Sequence, residues 1–74
     1  MFALDELEIG KKGRIKQVNC EKHIKRRLMD LGIINGSVIV PILKSPSGNP
    51  RAYEVRGSII SIRNEDAKYI EIIK

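Results

Sequence analysis

Cysteine is almost missing from this chain. Cys20 stands alone among 74 residues, so no internal disulfide can staple the fold. A single thiol fits a reducing compartment. Tryptophan is absent, and Phe2, Tyr53 and Tyr69 are the whole aromatic complement. The core must then be aliphatic. A base-stacking platform, or an aromatic-walled groove for proline-rich peptides, has too few rings to be built. His23 is the single histidine, and no nucleophile elbow or base-orienting spacing links it to a serine and an aspartate. "GKKG", residues 10–13, lacks the strand–loop–helix context and lysine placement of a phosphate loop. No enzyme is expected, and no cofactor. No apolar run approaches the roughly 20 residues that cross a bilayer as a helix. The acidic opening, with Asp5, Glu6 and Glu8, is unlike a secretory signal. The expected location is cytoplasmic, without membrane insertion.

What is present is aliphatic mass and local positive charge. Hydrophobic residues make up 42% of the chain, enough for one small domain and against disorder. A domain of this size buries only about 60% of the surface its unfolded chain exposes, so its stability margin is thin. Net charge is +5. Between Lys11 and Arg27 stand Lys11, Lys12, Arg14, Lys16, Lys22, Lys25, Arg26 and Arg27 against one acid, Glu21. Such a patch attracts nucleic acid, anionic lipid or an acidic protein face. The plainer reading is a solvated surface that keeps a small protein soluble.

The hydrophobic pattern orders the chain. Leu4 and Leu7 predict one short turn laid over an end of the core. Residues 13–19, "GRIKQVN", predict a strand in which a bulge near Lys16 or Gln17 lets Ile15 and Val18 both face inward. Asn19 is the predicted N-cap of a helix. Ile24, Leu28 and Leu31 form its apolar stripe, which Cys20 extends by one turn. Gly32 suits the left-handed C′ position, and Ile33 can then pack back on Leu28. Asn35 and Gly36 signal a tight turn. In "SVIVPILK", residues 37–44, Val38, Val40 and Ile42 share one face while Ile39, Pro41 and Leu43 share the other. Both faces being apolar predicts a curved strand serving two sides of a small barrel, with Pro41 at an edge or bulge. "SPSGNP", residues 45–50, is a loop, and "RAYEV" pairs back as a hairpin. Gly57 predicts a bend or bulge. In the next strand Ile60 and Ile62 face inward and Arg63 outward. "NEDA", residues 64–67, is a short turn capped by Asn64, and a closing strand carries Ile70 and Ile72 on one face. The fold class is mainly β, with about five strands, one helix and one or two short helical turns. Five short strands cannot form two full sheets; curvature and closure bury their faces and hide their edges. An SH3-like or OB-like barrel follows.

Candidate sites are few. Cys20 and His23 stand three apart, so on one helix face they could share zinc or ferrous iron with Glu21 or Asp30 nearby. Stable sites usually need more protein ligands. The plainer reading makes Cys20 a small core residue and His23 a surface residue. Arg27 can pair with Asp30 or reach the last helix carbonyls. A contact surface is expected at Lys22, Lys25, Arg26 and Met29, with the loop of Pro46, Ser47, Gly48 and Asn49 second; Met29 is the adaptable apolar element.

Taken in order, these pieces resemble the FeoA family, ferrous iron transport protein A. The matching segments are "LDELEIGKKGRI" with Gly13, "RLMDLGIINGS" with Arg27, Leu28, Leu31, Gly32 and Gly36, "PSGNP" with Pro50, "VRG" with Gly57, and "ISIRNEDAKYIEI" with Arg63 and Ala67. Asn49 stands where the family commonly has aspartate, and Asn35 where it commonly has proline. The resemblance implies an SH3-like barrel. It also implies a cytosolic accessory that touches the cytosolic part of FeoB, the ferrous iron transporter with a GTPase domain. Alternatives from the residues are a nucleic-acid-binding barrel, a transition-metal module, or self-association through an open strand edge.

Overall fold

The computed structural model describes residues 2–73. A short 3-10 turn, Leu4–Glu6, precedes strand β1, Gly13–Val18, and helix α1, Lys22–Asp30. Three strands follow: β2, Val38–Lys44; β3, Arg51–Val55; and β4, Ser58–Ile62. A one-turn helix α2, Asn64–Ala67, leads into β5, Ile70–Ile73. Lys74, the end of the expected closing strand, lies outside the described residues. The strands form one antiparallel sheet in the order β4-β3-β2-β1-β5. Ile62 of β4 and Ile70 and Ile72 of β5 nevertheless share one core cluster. The sheet therefore curls until its two ends face the same interior, as an SH3-like barrel requires. The 3-10 turn packs against α2 and β5 and helps close the gap that strand pairing leaves.

The expected bulge in β1 is there. Pairing with β5 shifts register between Ile15 and Gln17, and both Ile15 and Val18 are buried. The helix corner also forms as expected. Gly32 has φ +96°, Ile33 N–H donates to the Leu28 carbonyl at 2.9 Å, and Gly32 N–H donates to the Met29 carbonyl at 2.9 Å. These are the two bonds of a Schellman motif, and its hydrophobic contact brings Ile33 and Leu28 into one core.

Four local expectations are corrected, and the bend expected at Gly57 is found as a hairpin turn. Asn19 does not cap α1: its N–H bonds the Tyr69 carbonyl at 2.8 Å, so the β1–β5 pairing claims it and the helix starts after Glu21. Leu31 is 46% exposed, because it is the C-cap and Ile33 fills the place that a third helical turn would have offered it. In β2 only Ile39 and Pro41 point fully inward, while Val38 and Leu43 are exposed. A register shift between Pro41 and Leu43 rotates Leu43 off the inner face, so strict alternation fails there. Arg56 and Gly57 make a two-residue hairpin turn, with φ +54° and +83°, between the paired Val55 and Ser58. Asn64 is the first residue of α2 and not its cap, which is Arg63.

Pro41 shows how a donor-less residue fits a central strand. β1 pairs with β2 only at Ile39 and Val38, so it has already left β2 at Pro41. The Pro41 carbonyl accepts from Gly10 N–H at 2.7 Å on that vacated side, where no ladder donor is needed. Gly13 permits another close approach: a Cβ there would lie 2.5 Å from Ile72 Cγ2 and 3.0 Å from Leu7 Cδ2. The corner glycine has a different constraint. Replacing Gly32 by alanine forces an L-residue into the left-handed region, and should lower stability by about 1–2 kcal/mol. The measurement is the urea midpoint at unchanged slope.

Candidate partner-binding surface

The amphipathic character of α1 decides what the protein shows outside. Leu28 is buried and Ile24 half-buried, which turns Lys22, Lys25, Arg26 and Met29 to solvent. With Asp30 these four line a shallow groove of ≈ 380 Å³. Lys25 and Met29 also line a neighbouring hollow of ≈ 340 Å³ with Val18, Ile33, Ile34 and Asn35. Met29, 49% exposed, thus stands between two depressions. The structure brings the four expected helix residues together and adds a second, more apolar hollow. Its Ile34 was not singled out from the sequence.

The second expected surface lies elsewhere. Pro46, Ser47 and Asn49 are exposed and Gly48 half-buried. This loop shares no lining residue with either helix depression; Gly48 borders a hollow of ≈ 410 Å³ beside Asp5, Leu7, Lys44 and Arg51. Its side chains are occupied structurally. Asn49 Oδ1 accepts from Asn64 N–H at 3.0 Å, Asn49 Nδ2 donates to Glu65 Oε1 at 2.7 Å, and Asn64 Nδ2 donates to the Gly48 carbonyl at 3.2 Å. The loop therefore supplies the missing cap of α2 from afar. An amide at position 49 can both accept and donate, whereas an aspartate would oppose Glu65.

Arg51 was not singled out from sequence, yet it is the one charged side chain of the described residues that the fold buries, at 6% exposure. Its guanidinium donates to the carbonyls of Asp5 at 3.0 Å and Leu7 at 2.6 Å, and lies 5.4 Å from the centre of the Tyr53 ring. It fastens the N-terminal turn to β3. "RAYEV" reads as an ordinary strand, so nothing in it marks Arg51 as an inward residue.

Cys20 and His23 are not neighbours on one helix, because Cys20 precedes the N-cap Glu21. The Cys20 thiol is half-buried against the core and donates to the Asp66 carbonyl at 3.4 Å, while His23 is exposed. Burial, with the Asp66 carboxylate second, pushes the thiol above its ordinary pKa. A protonated thiol is a poor metal ligand and nucleophile. Among the described residues no three His, Cys, Asp or Glu side chains cluster where they could hold a metal ion. Arg27 is exposed and makes no ion pair with Asp30; among the described residues the ion pair formed is Lys16–Glu71, at 3.3 Å.

With the geometry in place, comparison with known proteins is decisive about kinship. A family model for the FeoA domain matches residues 2–74. The chain belongs to the FeoA family. It is 32% identical over 71 residues to a putative Fe(2+) transport protein A of Campylobacter jejuni, covering 96% of each chain. It is 29% identical over 69 residues to an Fe(2+) transport protein A/Fe(2+) transporter FeoB fusion protein of Porphyromonas gingivalis. That match spans 93% of this chain and 8% of the fusion protein. Zinc-complexed FeoA of Stenotrophomonas maltophilia, a procaryotic SH3 domain protein, superposes with a TM-score of 0.87 at 25% identity, covering 99% of this chain and 91% of that one. The SH3-like reading of the barrel thus stands, and the OB-like alternative falls away.

Two measurements check the local chemistry. The Asn49 amide first, then a backbone hydrogen bond, holds the Glu65 carboxyl below its usual range. A depressed native pKa means that the Asn49–Glu65 contribution is fully present above the unfolded-state value and is lost as pH falls through the native one, while the neutral bonds to Asn64 remain. Asn49→Ala should move the Glu65 titration, followed by carboxyl NMR, back up toward the ordinary value. Cys20 should alkylate more slowly than a free cysteine at neutral pH, and catch up once the chain is unfolded in urea.

Proposed function

We propose that this chain is a non-catalytic accessory of bacterial ferrous iron transport that works in the cytoplasm as an adaptor or regulator. Its partner is the cytosolic part of a FeoB-type transporter, and its contact surface is the outer side of α1. One observation carries the reading: in the Porphyromonas gingivalis relative, an FeoA-like segment and FeoB are one polypeptide. A fusion keeps two modules at high effective concentration, which is useful when they act on each other. The physics of α1 supports the surface. Lys22, Lys25 and Arg26 offer charge that speeds encounter with an acidic face, and Met29 offers adaptable apolar contact beside the hollow of Val18, Ile33 and Ile34.

Nucleic acid is not the expected partner. Tyr53 is fully buried and Phe2 packs against the core, so Tyr69, half-exposed and under Lys68 at 5.2 Å, is the one Phe or Tyr ring among the described residues that stands largely open to solvent. Single-strand binders stack successive bases on several rings.

Lys25→Glu combined with Arg26→Glu should cut co-purification with FeoB and ferrous iron uptake by about tenfold, as expected for charges at a complementary rim. Both residues are exposed, so the urea midpoint should stay in place. Unchanged capture and uptake would remove α1 as the contact face.

A further inference from the structure

The two ends of the sheet are treated differently. At the β5 end, Phe2 and Ala3 cover the edge: Ala3 bridges Glu71, and Ile72 N–H donates to the Phe2 carbonyl at 2.7 Å. At the β4 end nothing corresponds among the described residues, where β4 pairs with β3 alone. Across the two-residue hairpin, Ser58, Ile60 and Ile62 turn their backbone groups to β3. The N–H and C=O groups of Ile59 and Ser61 therefore point away from the sheet. Natural proteins usually guard such an edge with a charge, a proline or a bulge. The segment "SIISI" has none of these, and its pairing with β3 runs without a register shift.

The side chains describe the missing neighbour. Ile60 lies opposite Tyr53 on the inner face and packs on the core, yet stays half-buried because no strand covers its outer flank. Ile59, on the outer face, is 68% exposed. Exposed Arg56 and Arg63 stand at the two ends of the edge. Glu65 sits near Arg63, but its carboxylate is engaged by Asn49. A second copy of this chain fits poorly. Antiparallel self-pairing centred on Ile60 would set Arg63 of one copy opposite Gly57 of the other, beside its Arg56, at both ends. Each copy also carries a net charge of +5. Like charges facing across strands are unfavourable.

We propose that the free edge of β4 is a strand-addition site for an extended segment of another protein. Its residues alternate apolar with polar and carry carboxylates at the ends that meet Arg56 and Arg63. The incoming backbone exchanges hydrogen bonds with Ile59 and Ser61, its apolar side chains cover Ile60 on the inner face, and its polar ones lie beside Ile59 on the outer face. This surface is distinct from the α1 face, and neither depends on the other.

The test uses the whole chain and a blocked synthetic peptide, Glu-Val-Thr-Val-Thr-Val-Asp. Amide exchange of Ile59 and Ser61, followed by NMR, should slow on its addition, while the amides of Ile60 and Ile62 are already protected. The same peptide N-methylated on alternate residues should lose binding by about tenfold or more, since strand addition rests on main-chain bonds. Ile59→Lys, at an exposed position that leaves the fold intact, should weaken binding by a similar factor. Lys25→Glu should leave it unchanged. The proposal is overturned if the Ile59 and Ser61 amides exchange alike with and without peptide, or if N-methylation makes no difference. It is also overturned if those amides become protected with protein concentration alone, which would assign the edge to self-association.

Discussion

The corner at Leu31, Gly32 and Ile33 is the constraint from which the exposed face of α1 follows. Its two hydrogen bonds stop α1 after nine residues and reverse the chain toward β2. Ser37 Oγ then bonds the Gly32 carbonyl at 3.0 Å, and Ile15 N–H bonds the Ser37 carbonyl at 2.9 Å, so the same corner sets β1 against β2. The side chains of Val55 and Arg56 pass close over Gly32, which ties the β3–β4 hairpin to the helix. A helix held at one end by its neighbours, with Leu28 and Ile33 driven inward, has no freedom to roll. Its two lysines and two arginines face water.

The barrel solves its size problem with backbone economy. It has too few strands to close by pairing alone, so short segments finish the job. The N-terminal stretch covers β5, the 3-10 turn plugs the end near α2, and Arg51 pins that turn through two main-chain carbonyls. An arginine buried without a carboxylate partner is costly unless its donors find acceptors. Here two carbonyls accept from the terminal nitrogens and the Tyr53 ring lies beside the guanidinium, while Nε is buried without a partner among the described residues. The loop at Asn49 and Gly48 does for α2 what Arg51 does for the first turn. Both devices connect segments far apart in sequence, and both consume polar groups that would otherwise look free for binding. That leaves the exposed side of α1, with its two depressions, as the less committed surface.

The reactive side chains among the described residues are each occupied or isolated. The thiol is shielded, the histidine stands alone in water, and the buried charge is spent on structure. What the domain offers is shape, positive charge and apolar contact. These are the properties on which the proposed recognition of a FeoB-type partner rests.

Much of this was legible in the residues themselves. The alternation of apolar side chains, the turn residues and the bulge demanded by Ile15 and Val18 specify five strands and one helix. The corner is local too, because Gly32 and the spacing of Leu28 to Ile33 encode it within one turn of chain. Charge is likewise a local property: residues 22, 25 and 26 lie off the apolar stripe wherever the helix is placed. Partners across space were not legible. Whether Asn19 caps a helix or joins a ladder depends on Tyr69. Whether Leu43 faces in or out depends on a register shift against β3. That Asn49 caps α2, that Arg51 is buried, and that one sheet edge is covered while the other is bare were settled only when distant segments met. Hydrogen-bond competition between such segments is decided by the folded geometry, and no periodicity in the chain records it.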